Sequence, residues 1–331
     1  LDGTKIQAVA SGRTGWSKKE MEKLLVDLDK ELEQVEKQME QAEALEPANN
    51  YRLPEGLQQK QALREAVQAG LKELQLSGRK HYHRHEPEAK RMECDGKNRF
   101  GYNAQVIVDQ KSGVVLASEV VSQENDVGQL VPLTEQAQEN VPPAASEGAK
   151  PVTVADSGYG TGSDIAAAAE KKLDVLVYPQ EGTSGKDNPY HAKHFIYEPM
   201  NNSVRCPQGQ TLGYQRTRGK HGQEVKIFLC KCKSCPVKGQ CTRNKRGREI
   251  TVWTHTIVVQ TMRERLLNPE LKNQLRQRAQ VVERFFGHVK QHEGFRRWTV
   301  RGLEAVRTQW AMICCTVNLQ LLIKNWSKAH A

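Results

Sequence analysis

Residues 101–121 read GYNAQVIVDQKSGVVLASEVV, and this stretch decides the fold class. Two runs rich in apolar and β-branched residues flank the turn signal KSG, which predicts an antiparallel β-hairpin. Further along, the sequence predicts a helix at 127–140, a buried strand in VTVAD, an Ala-rich helix at 163–172 and a strand in DVLVYP. A hairpin followed by helix, strand, helix and strand predicts an α/β protein with a mixed α+β sheet and flanking helices.

A helical hairpin is predicted to interrupt this core near the start of the chain. Apolar residues recur at heptad spacing through the first helix and again from Leu63 to Leu74, with a break at Pro47. A packing or spacer arm is the simplest role, and dimerisation or DNA contact are the alternatives. We therefore divide the chain into a first strand (1–12), the helical hairpin with its link (13–90), the core (91–182), a basic Cys-rich β insertion (183–262) and C-terminal helices (263–331).

The charge of the chain is unevenly distributed. Of its 331 residues, those at 1–200 hold 24 Lys and Arg against 32 Asp and Glu, whereas 201–331 hold 25 against seven and contain no Asp. A positive surplus confined to one segment is typical of a protein that binds a polyanion, DNA or RNA. An ordinary solvated basic surface is the alternative. No apolar run approaches 18 residues and no signal segment is visible, so we expect no membrane span.

Three widely separated acids stand out: Asp2 in LDGTKI, Asp156 in VTVADSGYG and Glu283 in VVERFFGHVK. The two aspartates lie in β-like runs, and the glutamate lies on a predicted helix. Two strand carboxylates and a helix carboxylate are what a fold brings together to hold paired divalent metals for phosphoryl transfer. Asp109, which closes the first strand of the hairpin, is the alternative first acid, and Asp126 is a weaker candidate for a supporting acid.

The helix that carries Glu283 has a second functional feature. At about 100° per residue, Glu283, Gly287 and Lys290 project to one face, and Arg276 joins the same stripe. This face offers a carboxylate, a small residue that permits close approach, and two cations for DNA phosphates. A solvent-exposed helix face with mixed charges is the alternative for the helix in isolation.

Five of the eight cysteines lie between Cys206 and Cys241. Because no signal peptide is visible, we expect a reducing compartment, in which clustered thiols suggest a metal before a disulfide. We predict a structural Zn²⁺ site, with inert thiols or redox chemistry as alternatives. Its predicted ligands are Cys206, Cys232, Cys235 and Cys241, with Cys230 able to replace Cys232. Cys314 and Cys315 are expected in the core, and the histidines at 81, 83 and 85 on the surface.

Five stretches in this order carry a family resemblance: LDGTKIQA, HEPEAKRM with GYNAQVIVDQKSGVVLASEVV, VTVADSGYGTGSDI, CPQG with CKSCPVKGQCT, and VVERFFGHVKQ with RRWTVRGLEAVRTQW. The sequence resembles bacterial insertion-sequence transposases of the DDE class, whose catalytic core is RNase H-like, as in retroviral integrases. The resemblance implies an RNase H-like core with the helical hairpin and the Cys-rich segment as insertions.

The resemblance also implies an activity. Asp2, Asp156 and Glu283 would be the catalytic residues and would hold two Mg²⁺ (or Mn²⁺) ions for DNA strand cleavage and strand transfer. Asp2 is preferred over Asp109 because the first carboxylate of the family lies in DGT. The implied partner is double-stranded DNA, as element ends and target, bound by a homodimer in the bacterial cytoplasm near the nucleoid.

Two departures from the family pattern limit what carries over. The family commonly has an arginine four residues before its glutamate, but this chain has Ala279 there and Arg278 beside it. The sequence also starts at Leu1 without a Met, so we expect an N-terminally truncated fragment that lacks an upstream DNA-binding region. A catalytically inactive DNA-binding remnant and a metal-dependent nuclease are therefore the alternative functions.

Overall fold

The computed structural model describes residues 1–10, 15–45, 56–141, 151–181, 187–220, 222–230, 232 and 234–330. The chain divides into two compact units. The first comprises Leu1–Asp2, Val106–Ala117 and Asn125–Phe285, and the second comprises Gly3–Gln105, Ser118–Glu124 and Phe286–Ala331. Within the described residues, none of the helices combines the length and apolar character needed to cross a bilayer.

The described strands are β1 (Asp2–Gln7), β2 (Gly15–Ser17), β3 (His81–His83), β4 (Lys90–Cys94), β5 (Lys97–Val108), β6 (Val115–Val121), β7 (Thr153–Ala155), β8 (Val175–Val177), β9 (Ile196–Glu198), β10 (Ser203–Arg205), β11 (Thr211–Lys220), β12 (Gln223–Cys230) and β13 (Arg248–Val252). The described helices are α1 (Lys18–Leu45), α2 (Leu57–Ser77), α3 (Leu130–Glu139), α4 (Gly162–Glu170), α5 (Lys238–Cys241), α6 (Thr256–Arg265), α7 (Pro269–Gly287) and α8 (Leu303–Ala329). Helices mixed with largely antiparallel sheets make this an α+β protein.

The described strands form four sheets. One has the order β1-β5-β4, with β6 also paired to β5, and another has the antiparallel order β13-β12-β11-β10-β9. Two small sheets pair β2 with β3 and, in parallel, β7 with β8. The predicted hairpin is thus confirmed as β5 and β6.

The core of the first unit is built around the parallel pair β7 and β8. Their residues are apolar or β-branched, and all three residues of β8 are buried. Leu133 of α3, Ile165 of α4 and Met262 of α6 belong to the same apolar cluster. The Leu1 nitrogen donates a hydrogen bond to the Val154 oxygen at 2.7 Å, which places the start of the chain alongside β7.

The same unit contains the five-stranded antiparallel sheet β9–β13, as expected for a β-like segment. One face is apolar, with Val204, Leu212 and Phe228 almost fully buried. Arg216 and Lys226, on β11 and β12, are exposed. Alternation of apolar and basic side chains along these strands therefore gives one packed face and one positively charged surface.

The second unit contains the predicted helical hairpin. Arg64 of α2 pairs with Asp29 of α1 at 2.5 Å, and Lys60 pairs with Glu31 at 2.9 Å. The earlier residue of α2 pairs with the later residue of α1, so the two helices run antiparallel. Met21, Leu28, Val67, Leu74 and Tyr82 form their shared apolar core. The predicted break at Pro47 lies outside the described residues.

Two tryptophans organise the rest of the second unit. Trp298 and Trp310 are almost completely buried, and their ring centroids lie 6.1 Å apart in an edge-to-face arrangement. The Trp298 indole donates to the Ile6 oxygen at 3.2 Å, and that of Trp310 donates to the Gln105 oxygen at 3.1 Å. Burying a tryptophan requires such a partner for its N–H.

Three local predictions were wrong. The β insertion was expected to extend to residue 262, but α6 (Thr256–Arg265) begins within it. His83 was expected on the surface but is buried in β3, where its Nδ1 accepts a hydrogen bond from the Glu86 nitrogen at 3.1 Å. Of the two adjacent cysteines on α8, Cys314 is buried as expected, but Cys315 is exposed because it faces away from the packed side of the helix.

Candidate active site

Asp156 lies at the carboxyl end of β7, where α/β folds commonly place functional side chains. Its Oδ1 accepts a hydrogen bond from the Gly158 nitrogen at 2.5 Å and so caps the short 3₁₀ turn that follows. Gly158 brings in a second acid: a β-carbon there would stand 2.8 Å from Asp126 Oδ2 and 2.9 Å from Asp156 Oδ1. Glycine at 158 therefore lets the Asp126 and Asp156 carboxylates approach each other.

Gly160 is the last residue of the DSGYG motif, and its surroundings leave no room for a side chain. A β-carbon at this position would lie 2.1 Å from the Tyr178 oxygen, which no side chain can occupy without a backbone shift. The Gly160 oxygen accepts a hydrogen bond from the Gln180 nitrogen at 2.7 Å. The turn after Asp156 is thus fixed against the segment that follows β8.

Asp2 lies at the start of β1 and is held by an arginine. Arg278 Nη1 donates to Asp2 Oδ2 at 2.6 Å and lies 3.5 Å from the Leu1 oxygen. The two side chains are only 24% (Asp2) and 15% (Arg278) exposed, so this ion pair is partly shielded from water. Because Arg278 lies on α7, this ion pair connects α7 to β1, the strand that carries Asp2.

Tyr159 shows that these acids share one neighbourhood. Its side chain is fully buried, and among the described residues its hydroxyl has no hydrogen-bond partner. Burial raises the pKa of Tyr159 far above its usual value, and the charges of Asp126, Asp2 and Asp156 raise it further, while Arg278 opposes them. A buried hydroxyl without a partner costs about 1–3 kcal/mol, and Tyr159 bears this cost where the charges of Asp2, Asp126 and Asp156 act on it.

Glu283 is not among the charged groups that act on Tyr159. It lies on α7 with Val282 and Phe285 buried beside it, and its own side chain is exposed. Arg276 is exposed on the same helix. Five residues separate Arg278 from Glu283, so on an α-helix they point about 140° apart. Asp2 and Asp156 both act electrostatically on Tyr159, and Glu283 lies on a different face of α7 from Arg278.

The metal ligands are not assembled as they stand. Across the described ranges, no group of three or more His, Cys, Asp or Glu side chains is arranged to hold a metal ion. Asp2 forms an ion pair with Arg278, and Asp156 accepts a hydrogen bond from the Gly158 backbone. The triad of Asp2, Asp156 and Glu283 stays a prediction.

Lys290 follows α7 in a π-helical turn, His288–His292. The face predicted for Glu283, Gly287 and Lys290 assumed a continuous α-helix, and the wider π turn changes the direction of Lys290. Its Nζ pairs with Asp95 Oδ1 at 2.9 Å, so a carboxylate holds the predicted phosphate contact. The placement of Lys290 on one face with Glu283 and Gly287 stays a prediction.

Asp109 has a structural role in the β5–β6 turn. Its Oδ2 accepts hydrogen bonds from the Ser112 nitrogen at 2.7 Å and from the Ser112 hydroxyl at 2.6 Å. These bonds close the KSG turn, which agrees with the preference for Asp2 over Asp109 as the first acid.

The predicted zinc cysteines gather, but with one difference. Cys206, Cys235 and Cys241 are free thiols, whereas Cys232 forms a disulfide with Cys230. All five line one small cavity in the first unit. Four free thiols were expected around a metal ion. In the structure, however, Cys232 is disulfide-bonded to Cys230, the residue predicted to be able to replace it as a ligand.

Comparison with known proteins gives one match. Residues 205–323 match the family model described as "Transposase DDE domain". This stretch includes the cysteine cluster, Arg276, Glu283 and Lys290, whereas Asp2 and Asp156 lie outside it. The match supports a DDE transposase. No curated protein and no solved structure matches the chain.

Three residues at the site were missed or undervalued by sequence reasoning. In the sequence, Tyr159 stands out only as part of the DSGY motif, and Arg278 only as an arginine one position away from the family's. Asp126 is only a weak candidate for a supporting acid. A signal for Arg278 was present, because it falls at helical spacing between Leu275 and Val282, both buried. A lone arginine in an apolar stripe needs a carboxylate partner.

Proposed function

We propose that this protein is a DNA transposase that cuts DNA strands at the ends of an insertion sequence and joins them to target DNA. Asp2, Asp156 and Glu283 are its catalytic carboxylates in this proposal. The observation that carries it is that the charges of Asp2 and Asp156 both act on the buried side chain of Tyr159, in a chain whose stretch matching the DDE domain model contains Glu283. The Leu1–Val154 bond beside the parallel strands supports an RNase H-like arrangement of the two aspartates.

The site fits a hard divalent cation. DDE transposase domains generally use divalent metal ions, and the groups gathered here are carboxylate oxygens with a phenol oxygen that lacks a partner. Mg²⁺ and Mn²⁺ prefer such oxygen donors. Asp2, Asp156 and Glu283 would hold the ions, which when bound activate water and stabilise a leaving 3′ oxygen.

The residues of the chain have distinct roles in this proposal. Asp2 and Asp156 bind and orient, and Gly158 keeps the space between Asp156 and Asp126 free of a side chain. Arg278 balances the Asp2 carboxylate before DNA arrives, and its guanidinium then turns to a DNA phosphate. Glu283 joins the site once Arg278 releases Asp2, because Arg278 and Glu283 lie on different faces of α7.

Electrostatics support DNA as the substrate. Residues 201–331 carry 25 Lys and Arg against seven Asp and Glu, and Arg216, Lys226 and Arg276 are exposed. Such a surface attracts the phosphate backbone without reading bases. We propose that a homodimer presents two such surfaces to the two element ends.

A plasmid assay tests the proposal without knowledge of the terminal repeats. Supercoiled plasmid with Mn²⁺ reports nicking, and a labelled double-stranded oligonucleotide reports joining to the plasmid. Glu283→Gln should retain DNA binding, because loss of a carboxylate near phosphates relieves repulsion, and should reduce nicking by about 100-fold or more. Glu270→Gln is the matched control, since Glu270 is exposed in the first turn of the same helix.

The outcomes separate the candidate functions. Wild-type protein that binds plasmid but does not nick it is a DNA-binding remnant. Nicking without joining identifies a metal-dependent nuclease. A Glu283→Gln protein that cuts and joins at the wild-type rate refutes the assignment of Glu283.

A further inference from the structure

The cavity enclosed by the cysteine cluster has the size of a single ion. Its volume is about 20 Å³, and its lining includes Cys206, Cys230, Cys232, Cys235 and Cys241. A cavity of this size holds about one water molecule and excludes any organic ligand. The described cysteines are not arranged as a metal site as they stand, but five of them line this space, and thiolates are donors that a soft or borderline metal prefers.

Cys206 lies in a turn that presents its sulfur inward. The Gly209 nitrogen donates to the Cys206 oxygen at 2.9 Å, and the Gln210 nitrogen donates to the Cys206 sulfur at 3.2 Å. A backbone N–H directed at sulfur stabilises negative charge there, as a bound thiolate requires. This is the geometry expected when CPQG forms one corner of a zinc site.

The second corner comes from the CKSCPVKGQC segment. The Lys238 nitrogen donates to the Cys235 oxygen at 3.2 Å, and α5 then carries Cys241 back toward the cavity. Cys206, Cys235 and Cys241 are free thiols, and all three line the cavity. Three thiols from two separate turns therefore meet at one small space.

The Cys230–Cys232 disulfide does not connect distant parts of the chain. Its cysteines are two residues apart, so the loop that it closes is the shortest among those open to these five cysteines. Loop-closure stabilisation grows with the length of the closed loop, so this bond constrains the unfolded chain very little. A metal that joined Cys206 to Cys241 would close a loop more than ten times as long.

We propose that the cavity is a structural Zn²⁺ site whose ligands are the thiolates of Cys206, Cys232, Cys235 and Cys241, and that it forms when the Cys230–Cys232 bond is reduced. A dithiol reductant supplies two electrons and two protons to the disulfide and is itself oxidised to a disulfide. The Cys232 thiol then loses its proton on binding zinc, while Cys230 stays a thiol at the end of β12. Four thiolates complete a tetrahedron and leave no open position, so the ion has a structural role.

This site does not depend on the proposed catalytic function, because it lies among residues that the catalytic carboxylates do not share. Zinc content and DNA cleavage can therefore fail separately. Asp156→Asn protein should keep its zinc, which distinguishes this site from the carboxylate site.

Zinc content and thiol count test the proposal. The full chain is purified with a dithiol reductant and zinc, freed of unbound metal, and measured by elemental analysis and by thiol titration after denaturation. Wild type should hold about one zinc per chain. Cys206→Ser, Cys232→Ser, Cys235→Ser and Cys241→Ser should each lose most of it. Cys230→Ser and the exposed Cys315→Ser are the controls and should retain it.

A cobalt measurement covers variants that fail to fold. Co²⁺ added to reduced wild-type protein should give the intense visible bands of a tetrahedral tetrathiolate site, and one equivalent of Zn²⁺ should abolish them. Wild-type protein that binds neither ion under these conditions overturns the proposal. Loss of zinc from Cys230→Ser with retention by Cys232→Ser overturns the ligand assignment.

Discussion

The Arg278–Asp2 ion pair predicts that removing a positive charge will strengthen metal binding. Arg278 Nη1 lies 2.6 Å from Asp2 Oδ2, and both side chains are mostly shielded from water. Two unit charges 4 Å apart interact by about 4 kcal/mol at an effective dielectric of 20, and desolvation offsets much of this. A hydrogen bond to a charged group contributes about 1.5–3 kcal/mol net.

A divalent cation that uses Asp2 must displace Arg278 and lose this contribution. Arg278→Gln should therefore bind Mn²⁺ about tenfold more tightly than wild type, since tenfold corresponds to about 1.4 kcal/mol. Without metal, the same variant should lose about 1.5–3 kcal/mol of its free energy of unfolding, because Asp2 keeps its partial burial but loses its partner. Saturating Mn²⁺ should restore most of that loss.

Titration calorimetry with Mn²⁺ and urea unfolding in chelator and in Mn²⁺ measure both effects. Arg276→Gln is the matched control: it removes the same charge from an exposed position two residues away, and it should change neither quantity. If Arg278→Gln binds Mn²⁺ more weakly than wild type, Arg278 does not compete with metal for Asp2, and the reasoning fails.

Two further predictions concern DNA contact and the turn after Asp156. Lys290→Ala should weaken DNA binding and reduce the slope of log K against log salt concentration by about one. Asp95→Asn removes the carboxylate that pairs with Lys290 and should strengthen binding. Equal slopes for wild type and both variants would contradict a role for Lys290 in phosphate binding. Gly160→Ala should cost about 1–3 kcal/mol in urea unfolding, because its β-carbon would lie 2.1 Å from the Tyr178 oxygen, and Gly239→Ala, with open space around it, should be close to neutral.

The parts of the fold that were predictable are those set by local pattern. The heptad spacing from Met21 gives α1, and the KSG turn between β-branched runs gives the hairpin of β5 and β6. Each depends on residues that are neighbours in sequence, so periodicity alone identifies it. The same reasoning failed for α6, where Thr256, Val258 and Val259 favour a strand locally.

Tertiary packing decides the case of α6. Val258, Val259, Met262 and Leu266 contact the apolar cluster of the first unit from one side of a helix. Their spacing of three and four suits a helix, but the run of β-branched residues hid it. Intrinsic propensity is a weak prior that burial overrides, and burial depends on distant residues that a single segment does not reveal.

The same distinction explains the candidate site. Asp156 and Gly158 could be assigned from the sequence of one turn, because a strand end and a glycine turn are local features. The influence of the Asp2 and Asp126 charges on the pKa of Tyr159 joins three distant segments, and only the fold reveals it.

Arg278 shows how a departure from a family pattern can be read physically. The pattern directs attention to Ala279, one position away, but the buried stripe of α7 runs through Leu275, Val282 and Phe285. Arg278 falls on this stripe, and burial there requires a carboxylate, which Asp2 provides. Glu283 lies off the stripe and is exposed. The rotation of α7 that buries the apolar stripe is thus the rotation that pairs Arg278 with Asp2 and leaves Glu283 exposed. In the proposed three-carboxylate site, a metal ion bound by Asp2 would have to open the Arg278–Asp2 pair, so we propose that Arg278 couples metal binding to the packing of this helix.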